Sequence, residues 1–439
     1  MEIDQLGDWR RTHYSSEITP ELDEKEVILL GWVRDIRDLG GIRFIILQDR
    51  EGTIQITIPR QGINKDVMKK VDSLQGQYSI SVKGTVKKTK LTPRGIEIIP
   101  NEIRILAVAR HPLPLDVTGR VPAEIDVRLD SRVLDLCRDE NRAIFRIQHA
   151  VLESTRNFLS DRGFIEVHTP RIIASATEGG AALFPVKYFD QEAFLAQSPQ
   201  LYKEQLIMGF EKVFEIGPFF RAEKSHTRHH ISEFISMDIE QAFATAEDVM
   251  CILEKLVQHV CRAVREKCQR ELKILNYNVD VPSAPFKRFT YDEIIDELKE
   301  KNIHIPWGQD ISTPALRKLG KLHPYYYFII GWPTESKPFY IKPREDNPKI
   351  SEGFDLMWKW IELASGGTRV HSKEFLIKRL REQGLNPEPF KYHLKVFDYG
   401  MPPHAGWAIG LGRLVMALTG NKNIREVVLF PRDRFRLTP

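Results

Sequence analysis

Cysteine is scarce. Cys137, Cys251, Cys261 and Cys268 are the four in 439 residues, and no two form a CxxC pair. That excludes a zinc ribbon, and so few thiols in so long a chain argue against a disulfide-stapled scaffold and for a reducing compartment. Long apolar runs are also missing. The longest aromatic-aliphatic stretch, Tyr325–Trp332, is far short of the roughly 20 residues that cross a bilayer. The opening MEIDQLGDWRR is charged from its second residue, unlike a secretory leader. A cytoplasmic protein without membrane association is expected. Charge of one sign is lacking too: 64 Lys and Arg against 60 Asp and Glu give a net of +4. A histone-like polycation is thereby excluded, and any nucleic-acid binding must use a local patch. No internal repeat, no GxxxxGK[ST] loop and no GxGxxG after a strand is present, so neither a Walker nor a Rossmann nucleotide site is supported.

What is present has the balance of a globular protein, 42% hydrophobic and 28% charged, with length for two or three domains at about 150 residues each. Residues 26–108 read as five short strands, VILLGWV, RFIILQD, TIQITI, YSISVKGTV and GIEIIP, punctuated by turn signals. Five strands suit a small OB-type barrel, a fold that commonly binds single-stranded nucleic acid, better than a sandwich. The Pro-rich stretch HPLPLDVTGRVPA, 111–123, reads as a semi-rigid connection. The expected domains are 1–110, a hinge over 111–135, and 136–439. Beyond the hinge, helical periodicity over 140–161 and 246–269 alternates with strands at FIEVHTP, 213–222, 233–243, 338–342 and 354–363, and a helix follows near 412–419. Helices mixed with strands without a βαβ rhythm predict α+β with an antiparallel sheet.

Several segments could carry chemistry, each with a plainer reading beside it. In FFRAEKSHTRHHISEFISMDIEQAF, 219–243, strand alternation puts Arg221 and Glu223 on one side and Ser236, Asp238 and Glu240 on one face. Arginine suits phosphate through its two-pronged fork; the plainer reading is a solvated hairpin with cross-strand ion pairs. In QSPQLYKEQL, Ser198 and Pro199 open a helix whose first turn holds Gln200 and Lys203. A lysine there opposes the helix dipole, as if awaiting an anion, or is simply exposed. In FDLMWKWIELASGGTRVH, Glu362 and Ser365 are hard oxygen donors for Mg²⁺, with Arg369 beyond a glycine pair, or the segment is a strand ending in a turn. Gly410, Gly412 and Arg413 begin an apolar helix and could hold phosphate, though helix–sheet packing also explains the glycines. Glu178 beside Gly179 and Gly180 could hold an ammonium group or lie in an ordinary surface loop. In the barrel, Phe44 and Gln55 could stack on and hydrogen-bond a base, or Phe44 could fill the core. SVKGTVKKTKLTPR, 81–94, supplies basic residues with no acidic one.

In this order these segments resemble class II aminoacyl-tRNA synthetases, specifically aspartyl-tRNA synthetases of the archaeal and eukaryotic kind. GFIEVHTP resembles the first class II motif, at a homodimer interface; FRAE with HHISEF the second; GLGRL the third. QSPQLYK, ATEGG, RTHYSSEI and FPRDRFRLTP are similar to aspartyl signatures, and the lysine of QSPQLYK is what asparaginyl relatives lack. The resemblance implies that Arg221 clamps the ATP α-phosphate and the aspartate carboxylate, that Glu223 and Phe234 hold adenine, and that His229, His230 and Ile231 line the ATP-side loop. It implies Arg413, beside Gly410 and Gly412, on the γ-phosphate; Glu362 and Ser365 on Mg²⁺; Lys203 and Arg369 on the substrate's side-chain carboxylate, with Gln200 and Ser365 near; and Glu178 and Asp238 on its ammonium group. The barrel would bind the anticodon through Phe44, Gln55 and Glu97. Strict archaeal forms tend to have tryptophan where this chain has Arg34 and lysine where it has Pro93, while relaxed forms have proline at the latter. The implied partners are therefore L-aspartate, ATP, tRNA(Asp) and also tRNA(Asn).

Overall fold

Residues 3–174, 182–223 and 227–439 are described by a computed structural model, whose two units divide between Asp139 and Glu140. In the first, alternating apolar side chains close a barrel. Its strands are β1 (Glu26–Asp38), β2 (Ile42–Gln48), β3 (Thr53–Pro59), β4 (Ser79–Lys88) and β5 (Ile96–Ala107), in the order β1-β2-β3-β5-β4. Val33, Ile45, Ile56, Ile58, Ile80, Val82 and Ile98 fill the interior. A helix missing from the sequence reading, Lys65–Ser73, links β3 to β4; Asn64 caps it, and Val67 and Val71, one turn apart, are buried. The proline-rich connection is not loose, because Arg138 donates to the Asp116 carbonyl at 3.0 and 2.7 Å.

The second unit is built on an eight-stranded sheet. Its strands are β6 (Ile165–Glu166), β10 (Lys212–Phe220), β11 (Glu233–Ala242), β12 (Lys287–Thr290), β13 (Tyr326–Ile330), β14 (Gly353–Trp358), β15 (Ile361–Thr368) and β16 (His404–Gly410). They lie in the order β12-β13-β14-β15-β16-β11-β10-β6. Only the two terminal pairs, β12·β13 and β6·β10, are parallel. A small sheet of β7 (Ile172–Ile173), β8 (Pro185–Tyr188) and β9 (Gln191–Leu195) stands apart. Three helices, Asp139–Ser160, Ala246–Lys267 and Leu411–Thr419, bring their apolar residues into one core with the sheet. Met237, Ile239 and Trp407 are fully buried in that core, and the Trp407 indole N–H donates to the Val249 carbonyl at 3.0 Å.

The expected strand over 354–363 is instead a hairpin, β14 and β15, turning at Lys359 and Trp360 with Lys359 at φ 55°. No Gly, Pro, Asn or Asp stands at the turn to mark it. Residues 338–342 form no strand, only a single bridge from Ile341 to Arg369. The aromatic run before them supplies β13.

On the face opposite the helices, cross-strand pairing aligns Glu215, Asp238, Ala408, Ser365 and Asp355 in one row. The next row runs Glu240, Gly406, Gly367 and Gly353. Those glycines keep the floor clear: a Cβ at Gly406 would come within 2.3 Å of Glu240 Oε2. Gly406→Ala is therefore expected to destabilise this unit by about 1–3 kcal/mol through overpacking, read as an earlier thermal transition; an unshifted transition would show that the row tolerates a methyl group.

Candidate active site

The polar face of the sheet opens into a cavity of about 620 Å³. Register, rather than spacing, assembles it. Glu362 and Ser365 stand three apart on β15 and should face opposite ways, but pairing slips there, with Leu356 opposite Ala364 and Met357 opposite Glu362. That bulge turns both side chains to the cavity, which they line with Arg221, Glu223 and Arg413.

At one end lies a group of buried charges. Lys203 is 1% and Arg369 2% exposed. The Lys203 ammonium is 3.1 Å from Asp238 Oδ1 and 3.4 Å from Glu240 Oε2. Arg369 engages the same Glu240 carboxylate through Nε at 2.9 Å and Nη2 at 3.2 Å. The two cations therefore share one anion. Arg369, Asp238, Gln200 and Ser198 line the cavity, whereas Lys203 sits behind Asp238. Burial raises the Asp238 carboxyl above the ordinary range, with Glu215 adding to the effect and Lys203 and Ser236 opposing it. Pro199 is the N-cap of helix Gln200–Phe210, one place before its expected position, and Ser198 Oγ accepts from the Gln200 N–H at 3.3 Å.

The other end is electropositive. Arg413, in the first turn of helix Leu411–Thr419, donates to the Glu362 carbonyl at 2.8 Å. The Arg221 guanidinium stands 5.4 Å over the Phe234 ring. Gly410, Gly412, His229, His230 and Ile231 complete this wall. Burial and the nearby Arg413 push both imidazoles down, His229 to about 4. Glu362 keeps nearly half of its side chain exposed, and its carboxylate stands 3.6 Å from Arg413 Nη1.

Sequence reading missed Asp355 and Lys337. The Lys337 ammonium holds both Asp355 oxygens, at 2.8 and 2.7 Å, and lines the cavity. Asp355 enters only through its pairing with Ser365, and Lys337 lies in a segment with no periodicity, so neither left a signal. Glu178 is outside the described residues.

On the barrel, Phe44 is half-buried on the outer face while Ile45 and Leu47 enter the core. Gln55 donates to Thr57 Oγ1 at 3.0 Å, and Thr57 donates to Glu97 at 2.6 Å. Thr57, which sequence reading overlooked, joins the two expected base-reading groups. Pro93 is exposed in the turn before β5. Arg34 is held by Asp139 at 2.7 Å. The basic stretch is partly neutralised internally, with Lys83 on Glu26 and Lys87 on Glu24.

Residues 124–434 match the family model described as tRNA synthetases class II (D, K and N), and residues 27–106 match the OB-fold nucleic acid binding domain. The chain belongs to the class II tRNA synthetases. A relative from Archaeoglobus fulgidus, named "Aspartate--tRNA(Asp/Asn) ligase", is 52% identical over 97% of this synthetase and 99% of its own chain. Among solved structures, asparaginyl-tRNA synthetase from Pyrococcus horikoshii complexed with asparaginyl-adenylate superposes with a TM-score of 0.93 at 31% identity, covering 98% of this chain and all of that one. Aspartyl tRNA synthetase from Entamoeba histolytica gives 0.88 at 32%, covering 100% and 96%. Among the described residues no helix is long and apolar enough to cross a membrane.

The depressed His229 titration has a consequence for the synthetase's stability. Between the ordinary value of about 6.5 and about 4, the unfolded chain takes up a proton that the folded protein refuses, so stability falls as pH drops through that window. His229→Gln should therefore flatten the decline of melting temperature from pH 6.5 to 4; curves for the two proteins that stay parallel would contradict it.

Proposed function

We propose that this synthetase activates L-aspartate with ATP and charges both tRNA(Asp) and tRNA(Asn). The observation that carries the choice of amino acid is the buried pairing of Lys203 and Arg369 across Glu240. A site with such fixed cations suits a substrate carboxylate. Asparagine's neutral amide would offer the two cations no charge beyond the one they share in Glu240, and polar sites reject analogues of that kind by roughly 10⁴–10⁵.

Lys203 and Arg369 bind the side-chain carboxylate, with Ser365 near it, while Asp238 and Glu178 meet the ammonium group and Gln200 lines the same end of the cavity. Arg221 draws the substrate α-carboxylate and the ATP α-phosphate together. Glu223 and Phe234 hold adenine, His229, His230 and Ile231 flank it, and Arg413 takes the γ-phosphate beside Gly410 and Gly412. The carboxylate attacks the α-phosphorus in line and pyrophosphate leaves. The terminal adenosine hydroxyl of the tRNA then takes the aspartyl group. No protein nucleophile is required; positioning and charge stabilisation do the work. Glu362 and Ser365 would hold Mg²⁺. The donor set fits, since one carboxylate and one hydroxyl are oxygen ligands too few for a protein cage but suited to a metal shared with phosphates. That ion would neutralise charge developing on the phosphates.

The barrel binds the anticodon, with Phe44 stacking on the central base and Gln55 and Glu97 at its edge. Pro93, where strict forms have lysine, and the name carried by the Archaeoglobus relative support the wider tRNA range. A cytoplasmic homodimer is part of the same reading. β6, in the segment 163–170, is an edge strand, and Ile165 is 45% exposed.

Charging of both tRNA transcripts by purified protein with aspartate, and of neither with asparagine, is the expected result; efficient asparagine charging would reverse the substrate choice. Lys203→Met should cut aspartate-dependent pyrophosphate exchange by roughly 10⁴-fold in a protein that melts cooperatively. Normal exchange would remove the lysine from the site.

A further inference from the structure

Glu204 has no part in the machinery above, yet it is completely buried one residue after Lys203. An uncompensated carboxylate in such a place is costly. One hydrogen bond reaches Glu204, and two imidazoles stand near its other oxygen. The Gln200 amide donates through Nε2 to Oε1 at 2.5 Å. The imidazoles of His393 and His404 place Nε2 3.4 and 3.7 Å from Oε2. Burial pushes the Glu204 carboxyl up, and the two histidines pull it further down, so that it lies well below the ordinary range.

An ionised carboxylate can only accept hydrogen bonds, whereas a glutamine amide has a donating and an accepting end. Gln200 sits one helical turn before Glu204 and lines the cavity; Glu204 does not. With the NH₂ end drawn back onto Glu204, the amide carbonyl is the end left for the cavity.

We propose that Glu204 is a positioning residue: it fixes the Gln200 amide with its carbonyl oxygen toward the cavity, as an acceptor for the ammonium group of the amino-acid substrate. This deepens the proposed function and rests on reading the cavity as an amino-acid site. His393 and His404 stand beside the other oxygen of that carboxylate without a hydrogen bond to it.

The test is ATP–pyrophosphate exchange by the full-length protein. In Glu204→Gln the neutral partner can donate as well as accept, so the direction of the Gln200 amide is no longer imposed. The KM for aspartate should rise roughly 10- to 100-fold, with KM for ATP and kcat within about twofold of the parent. Adding Gln200→Glu to that variant exchanges the pair, returns an accepting group to the cavity side, and should lower the KM for aspartate again. A merely structural Glu204 would depress every constant together and show no such rescue, which overturns the proposal, as does an unchanged KM for aspartate. Should Glu204→Gln fail to fold, Gln200→Leu keeps the buried carboxylate and must show the same selective rise. If the parent protein shows no aspartate-dependent exchange at all, it is the amino-acid reading that fails, whatever the variants do.

Discussion

Everything at the Arg369 end of the cavity depends on one buried carboxylate. Glu240 meets the Lys203 ammonium and the Arg369 guanidinium at once, and neither cation has appreciable access to water. Such a cluster is weak as a source of stability, because desolvating three charged groups offsets most of what their attraction returns. Its value lies in geometry. The charges cannot relax toward solvent, so they hold their places beside the space that a small acidic molecule would occupy, and reorganisation on binding is small.

The sheet is what makes this arrangement possible. Its helix-facing side carries Met237, Ile239 and Trp407 in an unbroken apolar core, which anchors the strands from below. The alternate residues are thereby obliged to face the other way, and there the chain spends glutamate, aspartate and serine on one row and glycine on the next. Removing side chains from three neighbouring strands leaves room for Glu240 at full length. The bulge in β15 then adds Glu362 to the same face as Ser365. The electropositive wall beyond has its own signature: two histidines whose protons are driven off by burial and by Arg413. Imidazoles whose protonation is opposed by burial and by neighbouring cations mark a place suited to polyanions.

The barrel solves a different problem with similar means. Closure leaves no free edge, and alternation sends Ile45 and Leu47 inward and Phe44 outward. The relay from Gln55 through Thr57 to Glu97 uses one of the two Gln55 amide hydrogens and the Thr57 hydroxyl proton internally. What remains beside the Phe44 ring is a glutamine amide and a carboxylate that still hold accepting oxygens and one N–H.

Local pattern alone determined the strand content of the barrel, the long helices, and the face shared by Ser236, Asp238 and Glu240, because periods of two and of 3.6 are written residue by residue. Motif order determined the family. Tertiary structure decided the rest. The turn inside 354–363 lay hidden because Lys359 and Trp360 are not the residues that usually mark a turn. Asp355 and Lys337 reach the site through strand pairing and a loop, neither of which spacing encodes. Lys203 and Arg369 are 166 residues apart in the chain, and nothing in either neighbourhood announces that Glu240 would bridge them. Contacts of that range are set by which strands pair and in what register; in a single sequence they leave residue types but no distances.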